Sequence, residues 1–469
     1  MMKQTVLQIH YSSIRVGFVE FVSLCLAFSE RKRHFGTDFI KGEAADVQYQ
    51  LPHSSKLNSS LFPMSPPGSK SQSLNKLTAL FTPLQLGPIT LRNRFFMAAL
   101  TRDRNVPTNV PTDLVAEHYR QRAEGGAGLI VTETTLISQQ GTPWPHTPGI
   151  WSEEQISAWK KVTNAVHEEG ARIYSQILHV GRINHADAPE QIASGEPVYA
   201  PSPIAARARL GFKFRFIPGE PGPSMPTEIQ DPRKFIELFR QAAINAKEAG
   251  FDGVEVHAGS GFLIDQFLDN TVNKRTDEWG GSVENRTRFG LEILKTVTEV
   301  FGPGRVGMKL TPAGGINDVG MSMEDTLETF TYFITQADKL DLSYMMFVRY
   351  DEKYFAPFID GKPRGAPHDV IQTWRPLVRN CKFFVNTSYT PQEAAEEISS
   401  GRVDGVFLGR AWIANPDLPK RIRYGIPLNE DIDVGRLYGP RDGRVLSEEE
   451  LAKGYTDYPV AETSMPLKD

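Results

Sequence analysis

The chain has 469 residues, 52 Lys and Arg against 56 Asp and Glu, a formal net charge of -4, and hydrophobic residues at 40%. This balance suits one large or two medium globular domains. With no basic run or aromatic-interleaved basic patch, it leaves no footprint for nucleic acid. Two cysteines, Cys25 and Cys381, exclude a disulfide framework, a cysteine-ligated zinc and an iron–sulfur cluster, and they suit a reducing, cytoplasmic location.

Residues 1–78 differ from the rest and read as a disordered or dispensable extension, with residues 79–469 as one domain. An apolar run over 16–28 is too short to span a membrane. Glu20 inside it and Arg31-Lys32-Arg33 after it argue against a secretory signal, so targeting is the lesser reading. Residues 54–75 are rich in Ser, Pro, Lys and Asn and read as a linker.

From residue 80 onward strand-like and helix-like runs alternate. Residues 81–93 read as a hairpin, with Leu84, Leu86, Ile89 and Leu91 alternating, placed to close the bottom of a barrel. Strands are predicted at 95–100, 128–137, 172–179, 253–257, 306–311, 342–348, 382–386 and 405–410. Helices are predicted at 112–124, 152–169, 231–249, 284–301, 322–340, 370–378, 391–399 and 415–424, with Thr112, Ser152 and Ser322 as caps. A Gly/Pro-rich loop covers 181–226. Eight such pairs argue for an α/β fold, a single (β/α)₈ TIM barrel. A doubly wound open sheet is the competitor, but no G-x-G-x-x-G follows the first strand.

A barrel builds its active site at the carboxyl ends of its strands. Thr101, Thr134, Gln176, His179, His257, Lys309, Asn386, Gly409 and Arg410 stand there. The set is polar and cationic. It offers no carboxylate pair for glycoside hydrolysis and no metal-ligand cluster, so no metal is expected. Lys309 and Arg410 want an anion, most simply a phosphate near Asn386, Thr387 and Gly409. His179, His185, Trp279, Asp277 and Arg286 read as structural.

The motifs L-T-R-D-R (100–104), Y-R-Q-R-A-E-G-G-A-G-L-I-V-T-E (119–133), W-S-E-E-Q-I-S-A-W-K-K-V-T (151–163), Q-I-L-H-V-G-R (176–182), L-G-R-A-W-I-A-N-P-D-L (408–418) and G-Y-T-D-Y-P (454–459) resemble the old yellow enzyme family in family order. So does V-E-V-H-A-G-S-G-F-L-I-D-Q-F at the start of the stretch 254–289. The resemblance covers residue 80 to the C-terminus. It implies bound FMN, NADPH or NADH as co-substrate, and a small α,β-unsaturated carbonyl compound as substrate. By that resemblance Thr101 meets flavin O4 and Gln176 the pyrimidine edge, while Thr134 belongs to the cofactor site. Lys309 takes the place of an arginine near flavin N1, and Asn386, Gly409 and Arg410 cradle the phosphate. Val385 stands where the cradle has a glycine. Tyr438 lines the substrate side, and Leu178 replaces a tryptophan that often lines the pocket.

The resemblance also implies two donors, three residues apart, that hold the substrate carbonyl while hydride reaches the β-carbon. Here they are His257 and Ser260. Two residues on, the family's proton-donating tyrosine is Phe262, which has no proton to give. The chain in this respect resembles fungal-type members. Three readings follow: an ene-reductase whose α-proton comes from elsewhere, an alkene isomerase or redox-neutral secondary-metabolite enzyme, and a degenerate barrel without flavin.

Overall fold

The computed structural model describes residues 77–207, 217, 222–355, 361–362, 364–440 and 446–462. The N-terminal extension read from the sequence lies outside these, apart from residues 77 and 78.

A hairpin of β1 (Leu84–Leu86) and β2 (Ile89–Leu91) leads into β3 (Phe95–Met97), β4 (Leu129–Leu136) and β5 (Arg172–Leu178). A short parallel pair, β6 (Tyr199–Ala200) and β7 (Thr227–Glu228), precedes β8 (Gly253–His257), β9 (Val306–Leu310), β10 (Tyr344–Val348), β11 (Lys382–Asn386) and β12 (Gly405–Leu408). Strands β3, β4, β5, β8, β9, β10, β11 and β12 form a closed parallel barrel, β12 pairing back onto β3. The helices between and after them are α1 (Asp113–Glu124), α2 (Glu153–Glu168), α3 (Pro189–Ser194), α4 (Pro232–Glu248), α5 (Leu263–Leu268), α6 (Val283–Phe301), α7 (Met323–Ala337), α8 (Val370–Trp374), α9 (Pro391–Ser399), α10 (Ala411–Ala414), α11 (Leu418–Tyr424) and α12 (Glu448–Ala452).

Strand alternation sorts the side chains into two cores. Val254, Val256, Met308, Phe383 and Val385 face outward into the layer shared with the helices. Phe96, Tyr174, Tyr344, Phe384 and Phe407 face inward, and Leu84, Leu86, Ile89 and Leu91 of the hairpin pack with them. The hairpin therefore plugs the barrel's amino end, as its pattern predicts. Gly87 makes this possible: its φ is +55°, and a Cβ there would lie 2.1 Å from the carbonyl oxygen of Gly304.

Capping behaves largely as read. Ser152 and Gln155 form a capping box at α2, and Ser322 accepts from Asp325 N at α7. Thr112 occupies the cap position of α1, but its side chain makes no capping bond. The helix expected at 370–378 stops at Trp374 and tightens to a 3₁₀ turn, because Pro376 supplies no N–H. Within the expected loop 181–226 lie α3, ended by left-handed Gly195, and β6. Helices α5, α10 and α12 were not anticipated, being too short for a periodic signal.

Candidate active site

The carboxyl ends of the strands surround a cavity of about 440 Å³, within the range of small-molecule sites. Nine of the residues singled out in the sequence line it: Thr101, Thr134, Gln176, His257, Ser260, Phe262, Lys309, Arg410 and Tyr438. Alternation puts Gln176, His257 and Lys309 inside, and β8 and β9 pair so that His257 and Lys309 are direct neighbours. A register shift between Val131 and Thr134 gives β4 an extra residue. It lets Val131 face the inner core and Thr134 the cavity, and leaves Glu133 free to turn away.

A polar ladder crosses the floor. Thr134 Oγ1 donates to Gln176 Oε1 at 2.9 Å, Gln176 Nε2 donates to Glu255 Oε1 at 2.6 Å, and Tyr344 OH donates to Glu255 Oε2 at 2.8 Å. These bonds fix the orientation of the Gln176 amide. Burial raises the Glu255 carboxyl above its ordinary value, while Lys309 pulls it down. Glu255 escaped the sequence reading although it lies two residues before His257 on the same face.

His257 is 3% exposed. Burial, seconded by Lys309, holds its ring well below the ordinary histidine value, so it is neutral. Its Nδ1 accepts from Gly259 N at 3.3 Å, which assigns the ring proton to Nε2. Phe262 meets it edge to face, ring centroids 5.1 Å apart. Ser260 has a φ of +58° and is 4% exposed, and among the described residues its Oγ has no hydrogen-bond partner. A buried orphan hydroxyl on a cavity wall is a donor waiting for an acceptor.

Among the described residues neither the Lys309 ammonium nor the exposed Arg410 guanidinium has a hydrogen-bond or ion-pair partner. Two free cations, amide and hydroxyl donors, and the apolar Ala99, Leu100, Ile316 and Ile413 fit a flat, phosphorylated ring system such as the flavin the motifs imply.

The wall around Thr101 is held from behind. Glu133 Oε2 accepts the backbone N–H groups of Arg102 and Asp103, each at 3.0 Å, and burial pushes this carboxyl up to about 7. Arg102 donates to the carbonyls of Leu437 at 2.7 Å and Gly454 at 2.6 Å, drawing the C-terminal segment with Leu437 and Tyr438 onto the mouth.

Three expected residues do not line the cavity. The Asn386 amide donates to Phe407 O at 2.7 Å, tying β11 to β12. Gly409 sits beside Arg410, and a Cβ there would make only ordinary contact with Leu100. Leu178 is buried in a small cluster against which Phe262 packs. Val385 points into the outer core, so its side chain does not block the cavity. The cavity also takes in Trp144, Asn317, Tyr354 and Leu437 from irregular loops that no sequence pattern marks.

Of the residues read as structural, His179, Asp277 and Arg286 make such contacts. His179 bonds Gln140 Oε1 at 2.8 Å and accepts from Gly181 N, and burial lowers it to about 3. Arg275 pairs with Asp277, and Arg286 donates to Leu268 O and Thr329 Oγ1. Among the described residues no cluster could hold a metal ion, and no helix is long and apolar enough to cross a membrane.

The sequence profile of the NADH:flavin oxidoreductase / NADH oxidase family matches residues 79–429. The NADP-dependent oxidoreductase lnbE of Aspergillus flavus is 38% identical over 405 residues, spanning 83% of this chain and 98% of that protein. A protein named probable inactive reductase easA, from Epichloe festucae var. lolii, is 36% identical over 390 residues, 82% of this chain and 95% of its own. Among solved structures, the old yellow enzyme homologue from Zymomonas mobilis superposes with a TM-score of 0.71 at 32% identity, covering 82% of this chain and 100% of its own.

Proposed function

The chain belongs to the NADH:flavin oxidoreductase / NADH oxidase family, and on that premise we propose that it is an FMN-dependent ene-reductase, which takes hydride from NADPH or NADH and delivers it to the alkene of an α,β-unsaturated carbonyl compound. The observation that carries this reading is the pairing of the neutral His257 with the orphan Ser260 hydroxyl on one wall of the cavity that holds Lys309 and Arg410. Bound FMN would supply the redox chemistry, as hydride acceptor from the nicotinamide and hydride donor to the alkene.

Thr101, Thr134 and Gln176 would hold the flavin ring edge, with Glu255 keeping the Gln176 amide in one orientation. Lys309 would oppose negative charge on the ring, and Arg410 with the Asn386 and Gly409 backbone would take the phosphate. His257 Nε2–H and Ser260 Oγ–H are the donors for the substrate carbonyl oxygen. Each strengthens as charge gathers on that oxygen, and removing one such donor typically costs about 10²–10³-fold in rate. Phe262 contributes shape but gives no proton. The α-proton then comes from water or from a phenol in the wall, where Tyr354 and Tyr438 stand.

A second reading is supported by Phe262 itself. Without a dedicated α-proton donor, a reversible hydride transfer yields an isomerised or rearranged alkene with no net reduction. The kinship with a protein named a probable inactive reductase agrees only with the absence of net reduction. A degenerate barrel has less support, since Val385 faces away from the cavity and Lys309 lines it. We also propose that the segment before residue 77 is dispensable for this activity and that the protein is cytoplasmic; Leu77 itself is buried in the core of the barrel unit.

The test is anaerobic incubation of the yellow, FMN-loaded protein with NADPH and 2-cyclohexenone. Saturated ketone formed in step with NADPH oxidation supports ene-reduction. In a parallel incubation with an acyclic enone supplied as its Z isomer, the E isomer formed without net NADPH consumption supports the second reading. A purified protein that takes up no FMN sinks both.

A further inference from the structure

The left-handed backbone at Ser260 is unfavourable for a residue with a Cβ and persists only where its surroundings impose it. The surroundings are specific. Ser260 N donates to Thr311 Oγ1 at 2.7 Å, and Asn317 Nδ2 donates to Ser260 O at 2.8 Å. The next amide, Gly261 N, donates to Asp265 Oδ2 at 2.8 Å. The loop can press against Thr311 only because residue 259 is glycine: a Cβ there would lie 2.8 Å from Thr311 Oγ1.

Thr311, at the end of β9, and Asp265, in α5, are 4% and 5% exposed. Asp265, which takes the Gly261 N–H, has the Thr311 side chain near its carboxyl, a neighbour that lowers its pKa against the rise from burial. The Thr311 hydroxyl accepts from Ser260 N–H, which leaves its own proton free to turn toward the Asp265 carboxyl. Both bonds act on peptide groups, which leaves Ser260 Oγ as the orphan.

We propose that Thr311, backed by Asp265, is a positioning residue that holds Ser260 in its left-handed conformation and so aims a short hydroxyl at the substrate oxygen. This rests on the reading of Ser260 as a carbonyl donor. It explains how serine, with less reach than an amide or imidazole, serves at that place.

The test is a double-mutant cycle on FMN-loaded protein. The readout is the dissociation constant of 4-hydroxybenzaldehyde, followed by its long-wavelength charge-transfer absorbance. Thr311→Val should weaken binding about tenfold, and Thr311→Ser, which keeps the hydroxyl, should stay within about twofold of wild type. In a Ser260→Ala background Thr311→Val should change affinity less than about twofold, because the residue acts through Ser260. Asp265→Asn gives an independent variant, with a loss of about threefold that also vanishes in the Ser260→Ala background. An equal loss in both backgrounds, or a Thr311→Ser variant as weak as Thr311→Val, overturns the positioning role while leaving the donor pair intact. Wild-type affinity in Ser260→Ala alone overturns the donor reading and this proposal with it.

Discussion

Replacing Phe262 by tyrosine should restore an α-proton donor. The ring is half-buried on the cavity wall, edge to face with His257 at 5.1 Å between centroids, so a hydroxyl there has the cavity beside it. Its cost to stability should stay under about 1 kcal/mol, since cavity water can satisfy it. A positioned donor is worth about 10²–10⁴-fold, equivalent to roughly 2.7–5.4 kcal/mol of barrier. The gain therefore exceeds any loss by a wide margin. Single-turnover mixing of reduced protein with 2-cyclohexenone reads the step directly, because the rate of flavin reoxidation does not depend on nicotinamide binding. A Phe262→Tyr variant within threefold of wild type, at equal flavin content, would refute the reasoning that residue 262 is where the proton is lost.

Three further outcomes are expected. Lys309→Met should lower the flavin midpoint potential, measured spectroelectrochemically, because a cation on the cavity wall favours the reduced, negatively charged state; an unchanged potential removes Lys309 from that role. Arg102→Met strands the Leu437 and Gly454 carbonyls, costing about 2–4 kcal/mol, seen as a lower thermal midpoint, and it should raise KM more than it lowers kcat as Tyr438 loosens. Asp265 and Glu133 are both held at about 7 by burial. Between about pH 4 and that value the native state keeps protons that the unfolded chain has released, so both groups lower stability as pH rises through this window. Buried His257 acts oppositely, refusing below its ordinary value of 6.5 a proton that the unfolded chain accepts. Asp265→Asn should remove part of the decline between pH 4 and 7, and an unchanged thermal profile would count against the assignment.

The barrel was legible because each strand carries its own period-two or β-branched pattern and most long helices carry a cap. The carboxyl-end positions were legible for the same reason, since Gln176, His257 and Lys309 sit in strands whose facing follows from alternation. What escaped lies in irregular backbone or acts from behind. Trp144, Tyr354 and Asn317 reach the cavity from loops whose course depends on tertiary contacts. Glu255 and Asp265 are carboxylates whose partners, Gln176 and Tyr344 for one and Gly261 and Thr311 for the other, come mostly from other strands or across a turn. Val385 shows the converse. It stands where the resemblance has a glycine, and strand facing alone turns its side chain into the outer core.

The central claim is that this barrel holds FMN with a neutral His257 and a Ser260 hydroxyl aimed at the place of a substrate oxygen. Titrating the purified, FMN-loaded protein with a phenol tests it most directly. A long-wavelength charge-transfer band is expected, with affinity reduced at least tenfold in His257→Ala and in Ser260→Ala. A protein that binds flavin but shows no band, or whose band is untouched by both substitutions, would contradict the account.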